Sequence, residues 1–169
     1  MIRRNNKKAF SLIEVMFYVS MLSVFILVLS TFWGSLTEVE QKGKAMNAVS
    51  SEGAFIMNRI TQIIRNADSI VSPGPANSAT SLTLMYEDSG LDPSVFDLNS
   101  GNIRLSQGAT PFANLNSSQV SITTLTFTNL TGPNAKGVIR VQLGLSFNNP
   151  DGRATYNHSQ TFYATATIK

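Results

Sequence analysis

Glu14 is the only charged side chain between Phe10 and Trp33, in a stretch otherwise made of apolar and small polar residues. A carboxylate set in hydrocarbon costs a few kcal/mol or more, so it is expected to have a partner and a role. Other groups able to do chemistry are thinly spread. Glu87, Asp88 and Asp92, with Asp97 beyond, gather carboxylates of the kind that calcium takes. Their spacing does not match an EF-hand, and an acidic turn in solvent is the plainer reading. His158 is the one histidine, and it is expected at the surface. Arg104, Lys136, Arg140 and Arg153 suggest a basic patch on a sheet. The competing reading is a solvated strand face, and nucleic acid is not expected as a partner. Asn116-Ser117-Ser118, Asn129-Leu130-Thr131 and Asn157-His158-Ser159 match the glycosylation-acceptor pattern, as chance allows in a chain so rich in Asn, Ser and Thr.

The gaps in this inventory narrow the function classes. The chain has no cysteine, which excludes a disulfide, thiol chemistry and cysteine-based zinc or iron–sulfur sites. No nucleophile elbow, glycine-rich phosphate loop or metal-spaced cluster accompanies the serines and threonines. The expectation is a structural or binding protein, not an enzyme, with no cofactor. Formal net charge is +3, but Arg3, Arg4, Lys7 and Lys8 supply four of the 13 basic residues. Without residues 1–9, nine basic residues face 10 acidic ones. The basic character belongs to the first residues and argues nothing about nucleic acid. It does fit an N-terminus held in the cytoplasm and a C-terminal region outside.

The elements that would position these residues follow from pattern. All six prolines come at or after Pro73, as a long N-terminal helix requires. Residues 10–33 are apolar nearly all round and long enough to span a membrane. Residues 34–72 read as an amphipathic continuation of the helix. Its stripe runs through Val39, Met46, Gly53, Ile60 and Ala67, joined by Val49, Ile56, Ile63 and Ile70 and widened by Met57, Ile64 and Val71. Ser72-Pro73-Gly74-Pro75 is expected to end the helix. A coiled coil competes with packing under a sheet of the same chain, and Lys42, Gly43 and Gly53 in the seam weaken the coiled coil. Residues 73–118 read as loops with two short strands, Ser81–Tyr86 and Asn102–Leu105. The last third reads as a three-stranded antiparallel meander. Its first strand carries a bulge near Thr123-Thr124, its second runs over 138–147, and Asn148–Gly152 makes the turn to the third.

Three readings of the N-terminus remain. A secretory signal peptide would have a shorter apolar run with a small residue behind it. An ordinary single-span anchor would carry Glu14 incidentally. The third rests on the whole motif. Lys7-Lys8-Ala9, then Phe10-Ser11-Leu12-Ile13-Glu14, then a long apolar helix, closely resembles the class III leader of type IV pilins and of type II secretion pseudopilins.

The resemblance implies a pilin fold: an α+β chain whose long N-terminal helix packs on a C-terminal antiparallel sheet. It implies that residues 1–9 are a leader and that prepilin peptidase cuts between Ala9 and Phe10, where most members have Gly in place of Ala9. Phe10 would then become an N-methylated N-terminus. Glu14 would fall at the family's glutamate position, neutralising the new α-amino group of a neighbouring subunit and setting register during assembly. Residues 10–33 would be the membrane and filament-core helix, 34–72 the amphipathic half, and 73–169 the loops and sheet of the head. Partners implied are prepilin peptidase, other pilin or pseudopilin subunits, an inner-membrane assembly platform and the cytoplasmic membrane itself. The chain would sit in the cytoplasmic (inner) membrane as a single-pass protein and then in a pilus or pseudopilus, in the periplasm or at the cell surface. Some pseudopilins bind calcium in a loop like the one around Glu87, Asp88 and Asp92. The run from Met57-Asn58-Arg59-Ile60 to Asp68-Ser69-Ile70, with Leu125-Thr126-Phe127, is similar to the J-type minor pseudopilins and W-type minor pilins. A membrane-anchored adhesin or DNA receptor that never polymerises is the alternative class.

Overall fold

A computed structural model of the chain describes residues 11–149, 152 and 156–169. The chain divides into two compact units, 1–41 and 42–169. Helix α1 runs over Leu12–Asn66. Its first turn opens on Ser11, whose C=O accepts from the N–H groups of Glu14 and Val15 at 3.0 and 3.2 Å. No proline interrupts the helix.

The helix ends earlier than its sequence pattern predicts. The last turn tightens, with Ala67 N–H donating to Ile64 C=O at 3.2 Å, and strand β1 (Ser69–Ser72) follows. Ile70 and Val71 therefore belong to a strand and not to the helical stripe. β-Branched residues sit readily in a strand, and the pairing of Ser69 with Met85 and of Ile70 with Leu84 gives their backbone a ladder. Ile70 still packs against the core, while Val71 is 53% exposed. At the other end of the stripe Val39 is 71% exposed, and Ala45 is the first buried apolar residue of the helix.

The second unit holds two antiparallel sheets. Strands β2 (Ser78–Ala79), β3 (Leu82–Met85), β4 (Ser94–Asn99), β5 (Asn102–Gln107) and β6 (Ala113–Asn114) come from the stretch expected to be mainly loop. With β1, four of these make a five-stranded sheet in the order β1-β3-β4-β5-β6. Strands β1, β2, β4 and β6 are not expected from the sequence; the longest of them, β4, alternates Val95, Phe96 and Leu98 with Ser94, Asp97 and Asn99 only irregularly. Its hairpin to β5 turns on Ser100 and Gly101, both at positive φ (50° and 76°), which is the backbone a two-residue hairpin turn needs.

The other sheet has the order β2-β7-β8-β9. It contains the expected meander of β7 (Val120–Asn129), β8 (Val138–Phe147) and β9 (Ser159–Thr167). The register of β7 against β8 shifts between Ile122 and Thr124, at the expected bulge. Gly144 lies opposite Thr124, where a Cβ would stand 2.8 Å from the Thr123 hydroxyl. Part of the turn into β9 lies outside the described residues.

One core joins the helix to both sheets. Val49, Ile56, Ile60, Ile64 and Ala67 of α1 are buried with Leu82, Leu84, Phe96 and Ile103 of the first sheet. Phe127, Ile139, Val141, Leu143 and Leu145 of the second complete it. The Phe96 and Phe127 rings meet across the sheets with centroids 6.1 Å apart. Gly53 brings the helix close to β9, since a Cβ there would stand 2.2 Å from the Phe162 ring. The stripe from Val49 to Ala67 is thus covered by sheet, and the layout is α+β.

Candidate functional site

Glu14 lies in the first turn of α1. Its carboxylate accepts a long hydrogen bond from Tyr18 Oη, one turn on, at 3.4 Å. Around it every large apolar side chain given for this stretch is exposed, from Leu12 and Ile13 to Phe32 and Trp33. The most apolar 18-residue window of the helix has mean hydropathy 2.4, and none of it is buried.

The hydroxyls of this segment are satisfied within the helix. Ser20 donates to Phe17 C=O, Ser23 to Val19 C=O, Ser30 to Ile26 C=O and Thr31 to Val28 C=O, at 2.8–2.9 Å. A helix that closes its own polar groups in this way is suited to lipid or to a bundle of like helices. It could therefore serve as a membrane anchor. Ala9, Phe10 and the basic residues Arg3, Arg4, Lys7 and Lys8 lie outside the described residues.

The acids of the head are used locally. Asp92 Oδ1 accepts from Tyr86 N–H at 3.2 Å, Asp88 Oδ1 from Gly90 N–H at 2.9 Å, and Asp68 Oδ2 from Glu87 N–H at 2.7 Å. Among the described residues no three or more carboxylate or histidine side chains are grouped as a metal site. Glu87, Asp88 and Asp92 are thus not brought together as a calcium cage. Beside them Tyr86 donates to Ile63 C=O at 2.5 Å, tying β3's end to the helix. Burial raises the Tyr86 phenol above its ordinary value. A hydrogen bond with Ser94 opposes that shift, Asp68 adds to it and Arg59 opposes it.

The basic residues do not form the single-sheet patch that the sequence suggests. Arg104 lies on β5 of the first sheet and Arg140 on β8 of the second. Arg104 faces Asp97 across the β4/β5 ladder. Its Nε and Nη2 donate to the two carboxylate oxygens at 2.9 and 2.5 Å, and its guanidinium lies 4.7 Å from the centre of the Phe112 ring. The bond to Asp97 raises the guanidinium's pKa further. Lys136 is exposed, and Arg153 lies outside the described residues.

Two of the three acceptor-pattern asparagines are structural. Asn116 is 7% exposed. It accepts from Ile103 N–H and donates to Asn102 Oδ1, Ser117 C=O and Val120 C=O. Asn129 is buried, donating to Pro73 C=O and accepting from Thr131 N–H. Asn157 alone is exposed. His158 is half-buried, lining a shallow hollow of about 420 Å³ with Thr123, Ser146, Phe147, Asn157 and Ser159.

One contact has no signature in the sequence. Glu52, which the helical pattern places off the stripe, accepts from both the backbone N–H and the hydroxyl of Ser117. It anchors the loop before β7 to the helix. Comparison with known protein families, with curated proteins and with solved structures finds no match.

Proposed function

We propose that the chain is a structural subunit, a minor pilin or pseudopilin, of a type IV pilus or type II secretion-like filament. On this reading it is held in the cytoplasmic membrane by the apolar part of α1. Prepilin peptidase processes it between Ala9 and Phe10, and its N-terminal helix then packs it into the filament. The head would be a pilin fold, which the packing of helix on antiparallel sheet supports.

The observation that carries the reading is Glu14. It stands four residues after the Phe10 of Lys7-Lys8-Ala9-Phe10, as the lone charge of an apolar helix segment whose large side chains are all exposed. Cleavage before Phe10 would create an amine that is largely cationic near neutral pH. In a bundle of such helices the amine of one subunit neutralises Glu14 of another. Both groups lie where either charge alone is expensive and where removing one partner strands the other. A plain anchor gains nothing from the acid.

The test is Glu14→Ala, followed in membranes and in sheared filaments. The expected result is normal membrane insertion with loss from the filament fraction. Incorporation at the wild-type level would leave the chain as an anchored protein without the assembly role.

A further inference from the structure

The second sheet has one long open edge. β9 ends the order β2-β7-β8-β9, and among the described residues no strand pairs with its outer side. The other sheet ends are short, with 2 residues in β2, 2 in β6 and 4 in β1. β9 has 9 residues, Ser-Gln-Thr-Phe-Tyr-Ala-Thr-Ala-Thr, with no charge and no proline. Its ladder with β8 runs without a bulge. Charge, proline and bulges are the devices by which proteins ordinarily blunt such an edge.

The register fixes which backbone groups face outward. Phe147 N–H donates to His158 C=O at one end of the β8/β9 pair, and Ile168 N–H donates to Gly137 C=O at the other, at 2.8 and 2.9 Å. Bonded and non-bonded pairs alternate along an antiparallel ladder. The even-numbered residues from Gln160 to Ala166 therefore bond β8. Ser159, Thr161, Tyr163, Thr165 and Thr167 turn their N–H and C=O groups to the open edge. The even side chains also face the helix: Ser50 donates to Gln160 Oε1 at 3.0 Å, and Phe162 lies against Gly53. The odd side chains are exposed, Tyr163 at 66%.

We propose that this edge pairs with the same edge of a second copy of the chain, antiparallel about a twofold axis at Tyr163. The strand is complementary to itself in that register. Tyr163 faces Tyr163, Thr161 faces Thr165, and Ser159 faces Thr167. Every outward N–H then meets an outward C=O, because odd residues face odd residues. No like charges are opposed, and aromatic and Thr–Thr cross-strand pairs are favourable. The pairing uses the same edge in both copies, so it closes as a dimer. It does not depend on processing or on filament assembly.

The test uses the full chain in detergent. The chain has no cysteine, so each substitution introduces a single thiol. Residues facing one another in a bonded pair have Cα atoms about 5.5 Å apart, within reach of a short bismaleimide. Tyr163→Cys is expected to cross-link to itself, and Thr161→Cys to Thr165→Cys in a mixture. Phe55→Cys, exposed on the helix, is expected to give no cross-linked dimer. Thr165→Pro in the Tyr163→Cys chain removes one outward N–H and leaves the β8 ladder intact, and Thr165→Lys adds a charge without touching the backbone. Both are expected to abolish the cross-linked dimer while circular dichroism stays unchanged. The proposal is overturned by absence of the Tyr163→Cys dimer, by equal cross-linking at Phe55→Cys, or by a dimer that survives both Thr165 variants. It is equally overturned if Tyr163→Cys in native membranes captures only a different protein, which would give the edge to a foreign strand.

Discussion

Tyr86 and Gly53 show how single residues tie helix to sheet. Burial of the Tyr86 phenol favours its neutral form in the folded chain and raises its pKa. The stabilisation is fully present below the unfolded value of about 10 and is lost as pH rises through the higher folded value. The predicted outcome is a fall in unfolding free energy as pH rises above about 10 that is shallower in Tyr86→Phe, measured by denaturant titration of both chains. At Gly53 an added side chain would run into the Phe162 ring. Gly53→Val is predicted to cost about 1–3 kcal/mol through overpacking. The cost should shrink in a Phe162→Ala background, as a double-mutant cycle would show. The oddity of Glu14 is plain in the sequence because a lone acid among apolar residues needs no partner to be noticed. The bonds of Glu52 to Ser117 and the burial of Asn116 are not, because each depends on a residue brought near by the fold.

At the scale of elements, legibility followed the strength of the hydrophobic period. The stripe from Val49 to Ala67 and the alternation of Ile139, Val141, Leu143 and Leu145 are strong, and both are buried as their periods predict. The helix end is masked in the sequence because Ile63 and Ile70 stand one heptad apart, a spacing that continues a helical face although Ile70 lies in a strand. Most of the first sheet was hidden. In β4 only Ser94 and Phe96 are buried, and Asp97 on its other face is paired across the ladder with Arg104. The turn at Ser100-Gly101 was the signal that could have found it. Because Phe96 is fully buried and meets Phe127 of the other sheet, Phe96→Ala is predicted to cost about 3–5 kcal/mol. A thermal melt that leaves the midpoint unchanged would contradict the single shared core.

In the whole molecule, one helix carries an exposed apolar segment with a single acid and, in its remainder, the core face on which the two sheets pack. Folding of the head explains why residues 45–67 are amphipathic, but it gives no reason for Glu14 or for the basic residues before Ala9. The proposed processing before Phe10 and assembly through the helix would give a reason for both. The most direct test is mass spectrometry of the N-terminal peptide of the chain extracted from the membranes of its native cells. The account predicts a chain beginning at Phe10, with or without one added methyl group. A chain beginning at Met1 would contradict processing and leave a plain anchor, and one beginning beyond Trp33 would contradict both the anchor and the filament.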